Sequence, residues 1–479
     1  MNKLQGSPLQ QHFSSITVIG SGKSGQAIAL LGKQLGMSVF VSEISSISSE
    51  TRSSFCRNGI SWEEGHTEKI LEQDLVVLSS GIPPSSPAVV MASKNGIPLM
   101  GELDFVTPHI KGDIIGITGS NGKSTTVALL AHLLQKCYGE DKVVSGGNIG
   151  TPLGEHALKD YSCVIAELSS FQLYWAQNPC LVGAGITNVV PDHLDWHGNY
   201  EDYIEAKKNI LRLLKNDVPS VFIFREKDSS FFSQKDFPSR TEIFPFFWED
   251  EEKGGGKEKK QALIAGAQKV FLRKEGRELF LFNPKKDLPL LGKHNVENAA
   301  FAASLASLWR KKEPFPELLQ GLQTFMALPH RCENLGTQHG VTFINDSKGT
   351  NVAATITALE SLEGRILILL GGKGKGEDYQ ELAQAVSQNA RGAILFGAEA
   401  RALEKALRGK SEIFSVHSTL EEAYLRALSL AEEGDTILLS PSCTSWDAYE
   451  SYVKRGEHFR ELVGKTCFNP ETKRLGLLS

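Results

Sequence analysis

The chain has 479 residues, which at roughly 150 residues per domain suggests about three domains. Its content of 41% hydrophobic and 22% charged residues excludes global disorder and a collagen-like fibre. The formal charge of −5, from 51 basic and 56 acidic side chains, gives no electrostatic reason to expect nucleic acid as a partner.

Two features of the chain concern its compartment. The start, MNKLQGSPLQQHFSS, has no apolar core of signal-peptide length, and no segment reaches the roughly 18 apolar residues of a membrane span. We therefore expect no membrane insertion and a cytoplasmic location. The 7 cysteines include no CxxC pair, which argues against a disulfide framework or structural zinc and favours small buried thiols, Cys443 among them.

Short β-branched runs alternate with longer stretches of helical periodicity, a pattern that predicts βαβ units, parallel sheets and the α/β class. The runs fall into three groups, so we expect domains at 1–109, 110–328 and 329–479. The predicted strands, in chain order, are 16–20, 38–42 and 74–78; 113–118, 163–166 and 184–187; and 341–344, 365–370, 393–396 and 436–439.

The most polar stretch, residues 249–260, consists of charges and glycines that cannot fill a core. We predict a solvent-exposed loop inside the middle domain. A linker between domains is the alternative, because such compositions also join domains.

The first group contains Gly20-Ser-Gly22-Lys-Ser-Gly25, directly after a predicted strand and before a helical run. Glycines at this spacing allow the backbone to approach a pyrophosphate, and Glu43 ends the second strand at a position suited to a ribose. Taken alone, the motif indicates a dinucleotide. A tight strand-to-helix turn remains the alternative, because GxGxxG is a weak pattern.

A stronger signal is TGSNGKSTT at residues 118–126, between an apolar strand and a helix. Its backbone N–H groups could cradle phosphates, Lys123 could meet the β and γ oxygens, and the Ser124 hydroxyl could bind Mg²⁺. Ile117 occupies the first glycine position of the general P-loop pattern, which argues against a GTPase switch or a helicase. Two phosphate-binding turns imply two phosphorylated ligands, one of which is ATP.

Metal-competent side chains follow two predicted strands of the middle group. Glu167 follows the first strand, and a loop containing Asp192 and His193 follows the second, at the edge where open α/β sheets bind ligands. Further on, Tyr203 and Lys207 lie one helical turn apart on one face. On periodicity alone, Lys207 is a solvated surface lysine.

Asn295 and Asn298 lie three residues apart at a predicted helix start. Their carboxamides could read an adenine edge. Helix capping by Asn295 is the alternative, and the spacing does not distinguish the two.

The order of motifs resembles that of the Mur ligases, ATP-dependent amide-forming enzymes of peptidoglycan synthesis. The resemblance covers all three predicted domains. It rests on TGSNGKST at 118–125, GGNIG at 146–150, ELSSFQL at 167–173, HLD at 193–195, YIEAK at 203–207, GKHNVEN at 292–298, PHRCE at 329–333, INDSKGTN at 344–351, GGKGKG at 371–376 and LLSPSCTSWDAYESYVKRGEHF at 438–459.

The resemblance implies a Rossmann-like N-terminal domain, a central P-loop ATPase-type parallel-sheet domain and a Rossmann-like C-terminal domain. It also implies residue roles. The residues implied to bind ATP are Gly119, Ser120, Asn121, Gly122, Lys123, Ser124, Thr125, Asn295, Asn298, Arg331 and Asp346. The residues implied to bind the UDP substrate are Gly20, Ser21, Gly22, Glu43, Gly81 and Asn148. The residues implied to bind D-glutamate are His330, Lys348, Thr350, Lys375, Ser445 and Tyr452.

The implied catalytic residues are Lys123, Glu167, His193 and Lys207. Two Mg²⁺ ions would be held by Ser124, Glu167, His193 and Lys207, the last as a carbamate formed with CO₂. The implied substrates are UDP-N-acetylmuramoyl-L-alanine and D-glutamate, and the implied enzyme is a monomer that proceeds through an acyl phosphate and a tetrahedral intermediate.

Other functions explain fewer of these motifs. A nicotinamide dehydrogenase would use Gly20–Gly25 and Glu43 but leaves residues 118–126 unexplained. A nucleotide-switched binding protein gives no reason for a third domain rich in Lys, Thr and Ser at strand ends. Another Mur-type ligase or a folylpolyglutamate-type ligase is nearest in chemistry, although the latter would lack the UDP-binding domain.

Overall fold

The computed structural model describes residues 13–254, 260–290, 292–309 and 316–467. These residues form three sheets flanked by helices, in two compact units. One unit comprises residues up to 289 together with 297–325, and the other comprises 290–296 together with the residues from 326 onward. The N-terminal residues 1–12, in which no signal peptide is predicted, lie outside the described part.

The first sheet has five parallel strands in the order β3-β2-β1-β4-β5. Its strands are β1 Ser15–Ile19, β2 Ser38–Glu43, β3 Ser61–Glu64, β4 Leu75–Leu78 and β5 Leu99–Gly101. Its helices are α1 Lys23–Gln34, α2 Ser49–Arg57, α3 Pro87–Lys94 and α4 Glu102–Val106. The order reverses between β1 and β4, which makes the end of β1 a topological switch point of the kind that binds nucleotides.

The second sheet has nine strands in the order β14-β13-β12-β11-β10-β9-β6-β8-β7. All neighbouring pairs are parallel except β12 with β13 and β13 with β14, which are antiparallel. The strands are β6 Asp113–Thr118, β7 Val143–Gly147, β8 Cys163–Glu167, β9 Leu181–Ile186, β10 Ser220–Arg225, β11 Thr241–Trp248, β12 Gln261–Ala265, β13 Val270–Lys274 and β14 Arg277–Phe282.

Eight helices accompany this sheet within the described ranges. They are α5 Lys123–Tyr138, α6 Ser170–Trp175, α7 Leu194–His197, α8 Tyr200–Lys208, α9 Glu249–Gly254, α10 Pro284–Asp287, α11 Lys293–Leu308 and α12 Pro316–Thr324. The two long helices, α5 and α11, carry many buried alanines and leucines, as core-facing helices do.

The third sheet has six strands in the order β15-β16-β20-β17-β18-β19, parallel except for β15 with β16. Its strands are β15 Glu333–Gln338, β16 Val341–Asn345, β17 Arg365–Gly371, β18 Gly392–Phe396, β19 Ile413–His417 and β20 Asp435–Ser442. Its helices are α13 Val352–Glu360, α14 Gln380–Asn389, α15 Ala400–Leu407, α16 Leu420–Leu430 and α17 Tyr452–Cys467.

The predicted strands and the α/β class are confirmed, and burial explains why they were readable. Central strands of a parallel sheet are covered on both faces, so they are continuous apolar runs. The clearest case is β17, in which residues 366–370 are all fully buried. Within the described part of the chain, no helix is long and apolar enough to cross a membrane.

The polar stretch at 249–260 differs from the prediction. Its first six residues form the short helix α9, and residues 255–259 lie outside the described part. Because β11 before the stretch and β12 after it are neighbours in one sheet, the stretch lies inside the middle domain. The loop prediction is therefore wrong for residues 249–254, and the inter-domain linker is excluded.

Candidate active site

The loop between β6 and α5 has the backbone of a phosphate-binding turn. Gly119 and Gly122 have φ angles of 146° and 83°, which L side chains rarely adopt. A Cβ at Gly119 would overlap the Thr187 hydroxyl, and a Cβ at Gly122 would overlap the Asn298 amide. Since α5 begins directly after the turn, the loop presents N–H groups at a helix N-terminus, which favours an anion.

Lys123 folds back over this loop. Its Nζ donates hydrogen bonds to the carbonyl oxygens of Gly119, at 2.7 Å, and Ser120, at 2.9 Å. The ammonium group is therefore already at the loop that would hold the phosphates. Charged phosphate oxygens are stronger acceptors than these carbonyls and could replace them.

Residues after the neighbouring strand β9 fix the loop in place. The Asn188 side chain accepts a hydrogen bond from the Asn121 N–H at 2.9 Å and donates one to the Asn121 carbonyl at 3.1 Å. Thr187 Oγ1 donates to the same carbonyl at 2.5 Å. The sequence reasoning missed this role for Thr187 and Asn188. Their position at the carboxyl end of the strand beside the P-loop strand was the signal available.

Tyr203 and Lys207 reach the same loop from α8. The Tyr203 hydroxyl lies 2.8 Å from the Ser120 hydroxyl, and Lys207 Nζ donates to the Gly119 carbonyl at 2.8 Å. Lys207 Nζ also lies 4.6 Å from the centre of the Tyr203 ring, in a cation–π arrangement. The shared helical face predicted for these two residues is confirmed.

The interpretation of Lys207 as a solvated surface lysine is wrong, because only 2% of it is exposed. Helical periodicity gives the face of a helix but not what covers that face, and here the P-loop covers it. Burial lowers the pKa of Lys207 well below its ordinary value, and the charge of Lys123 acts in the same direction. The carboxylates of Asp192 and Glu167 oppose this shift only in part.

Glu167 ends β8, the strand beside β6, and is buried. Its side chain accepts a hydrogen bond from the Asn148 amide at 3.0 Å, and its backbone carbonyl accepts from the Asn148 N–H at 2.9 Å. The structure thus brings together two predicted residues, Asn148 and Glu167, through one pair of bonds that orients the carboxylate.

His193 stands at the start of α7 with a φ angle of 54°, a left-handed conformation that is uncommon outside glycine. Its N–H donates to Asp192 Oδ1 at 2.9 Å, and its ring lies 4.9 Å from that of Phe171. The side chain is 44% exposed, so its imidazole is accessible to a ligand.

These donors suit Mg²⁺ chemically. Magnesium prefers hard oxygen ligands and takes few of them from the protein, keeping water and phosphate oxygens for the rest. The hydroxyl of Ser124 and the buried carboxylate of Glu167 meet that need. Within the described residues, no group of three or more His, Cys, Asp and Glu side chains could hold a metal by itself.

The predicted adenine residues differ in their surroundings. Helix α11 begins at Lys293, so Asn295 lies inside the first turn and the alternative, that it caps the helix, is wrong. The Asn298 amide oxygen accepts a hydrogen bond from Thr126 Oγ1 at 3.2 Å, which ties α11 to α5. Asn298 therefore lies beside the P-loop helix.

The glycine-rich turn of the first sheet contacts the acid predicted for the ribose. Glu43 Oε2 accepts hydrogen bonds from the Ser21 N–H, at 2.7 Å, and from the Ser21 hydroxyl, at 2.9 Å. These bonds and those from Ser45 hold the pKa of Glu43 below its ordinary value, although burial opposes them. The Gly81 carbonyl accepts from the Trp196 indole at 2.9 Å, so Gly81 lies against the loop that contains His193.

A buried pair joins the first sheet to the helix after Glu167. Glu102, at the start of α4, accepts a hydrogen bond from the Gln172 amide at 3.0 Å, and Gln172 in turn accepts from the Ser169 N–H at 3.0 Å. Burial raises the pKa of Glu102. The sequence reasoning quoted Gln172 only within a motif and missed Glu102.

One buried arginine connects two loops of the second unit, each of which leads into a predicted residue. Arg455 of α17 is fully buried. Its Nη2 donates to the Ser347 carbonyl at 2.9 Å, its Nε donates to the Ser347 hydroxyl at 3.1 Å, and its Nη1 donates to the carbonyls of Cys443 and Thr444 at 3.1 Å each. One guanidinium thus connects the loops that precede Lys348 and Ser445. The sequence reasoning did not single out Arg455.

Other predicted residues of this unit lie near the same helix start. Lys348 Nζ is 4.0 Å from the centre of the Tyr452 ring, and the His330 ring is 6.5 Å from it. Asp346 accepts from the Ser440 hydroxyl at 2.7 Å, and burial raises its pKa to about 6. Cys443 is buried, and burial raises the pKa of its thiol to about 11, as expected of a structural cysteine.

Family models match three stretches of the chain. These are the MurD N-terminal domain at residues 15–88, the Mur ligase middle domain at 117–306 and the glutamate ligase domain of Mur ligases at 330–443. Together with the phosphate-binding loop, they define the class of protein, an ATP-dependent ligase of the Mur type.

Full-length relatives narrow this class. The ligase of Fervidobacterium nodosum is 33% identical over 94% of this chain and 98% of its own length, and that of Koribacter versatilis is 36% identical over 94% and 97%. Both are named UDP-N-acetylmuramoylalanine--D-glutamate ligase, and this chain belongs to that family. A solved pseudomurein peptide ligase type C from Methanothermus fervidus has a similar fold, with a TM-score of 0.59 at 23% identity over 95% of this chain and 100% of that chain.

Proposed function

We propose that the chain joins D-glutamate to the L-alanyl carboxylate of UDP-N-acetylmuramoyl-L-alanine, with cleavage of ATP to ADP and phosphate. The printed names of the relatives support the substrates, and the three matched domains support the architecture. The observation that carries the proposal is the loop at 118–126, with Lys123 folded over it and the buried Glu167 at the end of the neighbouring strand β8.

The chemistry follows from the weakness of a carboxylate as an electrophile. An oxygen of the L-alanyl carboxylate attacks the γ-phosphorus of ATP, the bond to the β-γ bridging oxygen breaks, and ADP leaves. The amine of D-glutamate then attacks the acyl phosphate carbon, loses a proton and expels phosphate from the tetrahedral intermediate. Because both partners of the first step are anions, charge neutralisation and positioning dominate catalysis.

In this proposal the residues of the first unit bind ATP and the activated carboxylate. Lys123 would exchange the carbonyls of Gly119 and Ser120 for β and γ oxygens. Bound Mg²⁺ would screen those oxygens, held by Ser124 at one ion and by Glu167 and His193 at a second. The UDP substrate would contact Gly20, Ser21, Gly22, Glu43, Gly81 and Asn148, and adenine would contact Asn298.

Residues of the second unit would complete the substrate contacts. Lys348 and Lys375 offer two cations for the two carboxylates of D-glutamate, with hydroxyl donors from Thr350, Ser445 and Tyr452. His330 would lie beside them, Arg331 near the phosphates, Asp346 near the ribose and Asn295 near adenine. We also propose the domain limits 1–109, 110–328 and 329–479, a monomeric enzyme and a cytoplasmic location.

A phosphate-release assay tests the reaction. ATP and UDP-N-acetylmuramoyl-L-alanine are supplied with one amino acid at a time, and phosphate is expected with D-glutamate alone. Lys123→Ala should abolish release because the cation at the γ-phosphate is lost. Turnover with a folate acceptor instead of the UDP substrate would favour the folylpolyglutamate-type alternative, and ligation that survives Lys123→Ala would contradict the role of the loop.

The carbamate on Lys207 has its own support and test. The lowered pKa of the buried Lys207 favours the neutral amine that adds CO₂ with loss of a proton, and the carbamate N–H could keep the bond to the Gly119 carbonyl. Lys207→Ala should be inactive and partly rescued by a short-chain carboxylic acid. Protein equilibrated with ¹³C-bicarbonate should show a carbamate resonance that the variant lacks, whereas full activity of the unrescued variant would contradict the proposal.

A further inference from the structure

Asn345 ends β16 and is fully buried in the second unit. Two hydrogen bonds fix the orientation of its side-chain amide. Oδ1 accepts from the Ser347 N–H at 3.2 Å, and Nδ2 donates to the Gly456 carbonyl at 3.1 Å. A flipped amide would place N–H against N–H at Ser347 and oxygen against oxygen at Gly456. Only the observed orientation satisfies both partners.

The same amide also contacts the imidazole of His330. Asn345 Nδ2 lies 3.0 Å from His330 Nδ1. Because an amide N–H can only donate, Nδ1 must accept with its lone pair. A neutral imidazole has one N–H group, so the proton is on Nε2. The contact therefore selects one tautomer of His330 and disfavours the imidazolium, whose Nδ1 hydrogen would face the amide hydrogen.

Other contacts hold the His330 ring in this place. A Cβ at Gly456 would overlap His330 Nδ1, so α17 approaches the ring as closely as a glycine allows. The His330 N–H donates to Glu333 Oε2 at 2.9 Å. That carboxylate oxygen is 3.9 Å from Nδ1, too far for a hydrogen bond, so it does not replace Asn345 as the partner. Burial lowers the pKa of His330, although the charge of Glu333 opposes the shift.

The proton on Nε2 is accessible to a ligand. Among the described residues, Nε2 has no hydrogen-bond partner, and it is not one of the fully buried atoms that lack one. The His330 ring lies 6.5 Å from the Tyr452 ring, and Lys348 Nζ lies 4.0 Å from the centre of the Tyr452 ring. The Lys348 N–H donates to the His330 carbonyl at 3.0 Å. An N–H donor and an ammonium group thus lie around one aromatic ring, which suits an anionic oxygen.

We propose that Asn345 is a positioning residue that fixes His330 as a neutral N–H donor at Nε2, and that this N–H binds a carboxylate of the amino-acid substrate. The second part rests on the proposed function, in which the amino acid is D-glutamate. Because Nδ1 already accepts from Asn345 and Nε2 already holds the proton, His330 is not the base that deprotonates the attacking amine.

NMR spectroscopy of the free protein tests the tautomer without any substrate. The chain is labelled with ¹⁵N-histidine, and the signals missing from His330→Gln assign His330 among the 12 histidines. Two-bond ¹H–¹⁵N correlations should show the proton on Nε2 and none on Nδ1. In Asn345→Asp the carboxylate can only accept, so Nδ1 should become protonated.

A protonated Nδ1 in the wild type would overturn the role of Asn345, as would an Nδ1 that stays unprotonated in Asn345→Asp. The wild-type tautomer decides the question by itself if Asn345→Asp does not fold.

Two substitutions of His330 test the use of the donor. Glutamine can place an amide N–H near the position of Nε2, and asparagine near that of Nδ1. His330→Asn should raise the KM for D-glutamate at least about tenfold, because a hydrogen bond to a charged group is lost. His330→Gln should raise it less, and the KM for ATP should stay unchanged in both. Backbone strain would give the opposite order, because asparagine tolerates the left-handed φ of 63° at His330 better than glutamine.

The matched control is the same pair of changes at His417, which ends the edge strand β19, four strands from β16. Neither change should alter the KM for D-glutamate. Equal KM values for His330→Gln and His330→Asn would overturn the donor role, as would the order that strain predicts. If phosphate release shows that D-glutamate is not the substrate, the proposed function fails, whereas the NMR result on Asn345 and His330 stands.

Discussion

Replacing Arg455 by methionine should destabilise the second unit. The change keeps a side chain of similar length but removes every donor of the guanidinium. The carbonyls of Ser347 and Cys443 have no other hydrogen-bond donor among the described residues, whereas that of Thr444 keeps the Lys373 N–H at 2.9 Å. Two buried acceptors are therefore orphaned.

The magnitude follows from those two acceptors. Each orphaned buried carbonyl costs about 1–3 kcal/mol. Relief of the buried charge, whose desolvation lowers the pKa of Arg455 to about 10, offsets part of the cost. The two acceptors together cost about 2–6 kcal/mol. After the offset we expect a net loss of about 2 kcal/mol, which lowers the Tm of a unit of this size by about 4–8 °C.

Calorimetry of the full chain measures the Tm, and hydrogen exchange locates the effect. Peptides covering residues 344–351 and 439–445 should exchange about thirtyfold faster where exchange requires unfolding of the unit. The matched control is Arg460→Met on the same helix, since Arg460 is 45% exposed and pairs with Glu333 at 2.6 Å. That exposed pair is worth at most about 1 kcal/mol.

A Tm of Arg455→Met that equals the Tm of the control Arg460→Met would refute this reasoning. If D-glutamate binds as proposed, Arg455→Met should also raise the KM for D-glutamate more than the KM for ATP, because the loops before Lys348 and Ser445 lose their common anchor. An unchanged D-glutamate KM with a lowered Tm would restrict Arg455 to stability.

Two further predictions concern buried carboxyl groups. The pKa of Asp346 is raised from 3.8 to about 6, so its contribution to stability is complete below pH 3.8 and is lost as the pH rises through 6. Asp346→Asn should therefore remove a component of roughly 3 kcal/mol from the pH dependence of the free energy of unfolding. Parallel pH profiles for the variant and the wild type would argue against the shift. The Glu102→Gln variant can still accept the hydrogen bond from Gln172 and should be as stable as the wild type in denaturant titration. Glu102→Ala cannot accept it, so its free energy of unfolding should fall by about 1–3 kcal/mol. Equal stability of the two variants would disprove the hydrogen bond.

Local sequence determined the secondary-structure elements and the chemistry of the phosphate-binding loop at residues 118–126. Strands such as β17 were readable because burial on both faces requires uninterrupted apolar residues. The glycines at 119 and 122 were readable because the turn needs conformations that other residues avoid. The common face of Tyr203 and Lys207 follows from helical spacing alone.

Tertiary structure decided which other parts of the chain these side chains contact. Lys207 reads as a surface lysine until the P-loop covers it, and Asn295 reads as a cap until the helix is seen to begin two residues earlier. Arg455 looks like any charged residue of an amphipathic helix, yet its partners lie more than a hundred residues away at Ser347 and eleven or twelve away at Thr444 and Cys443. Burial and hydrogen bonding between distant segments depend on packing, and a local sequence window contains no information on packing partners that lie outside it.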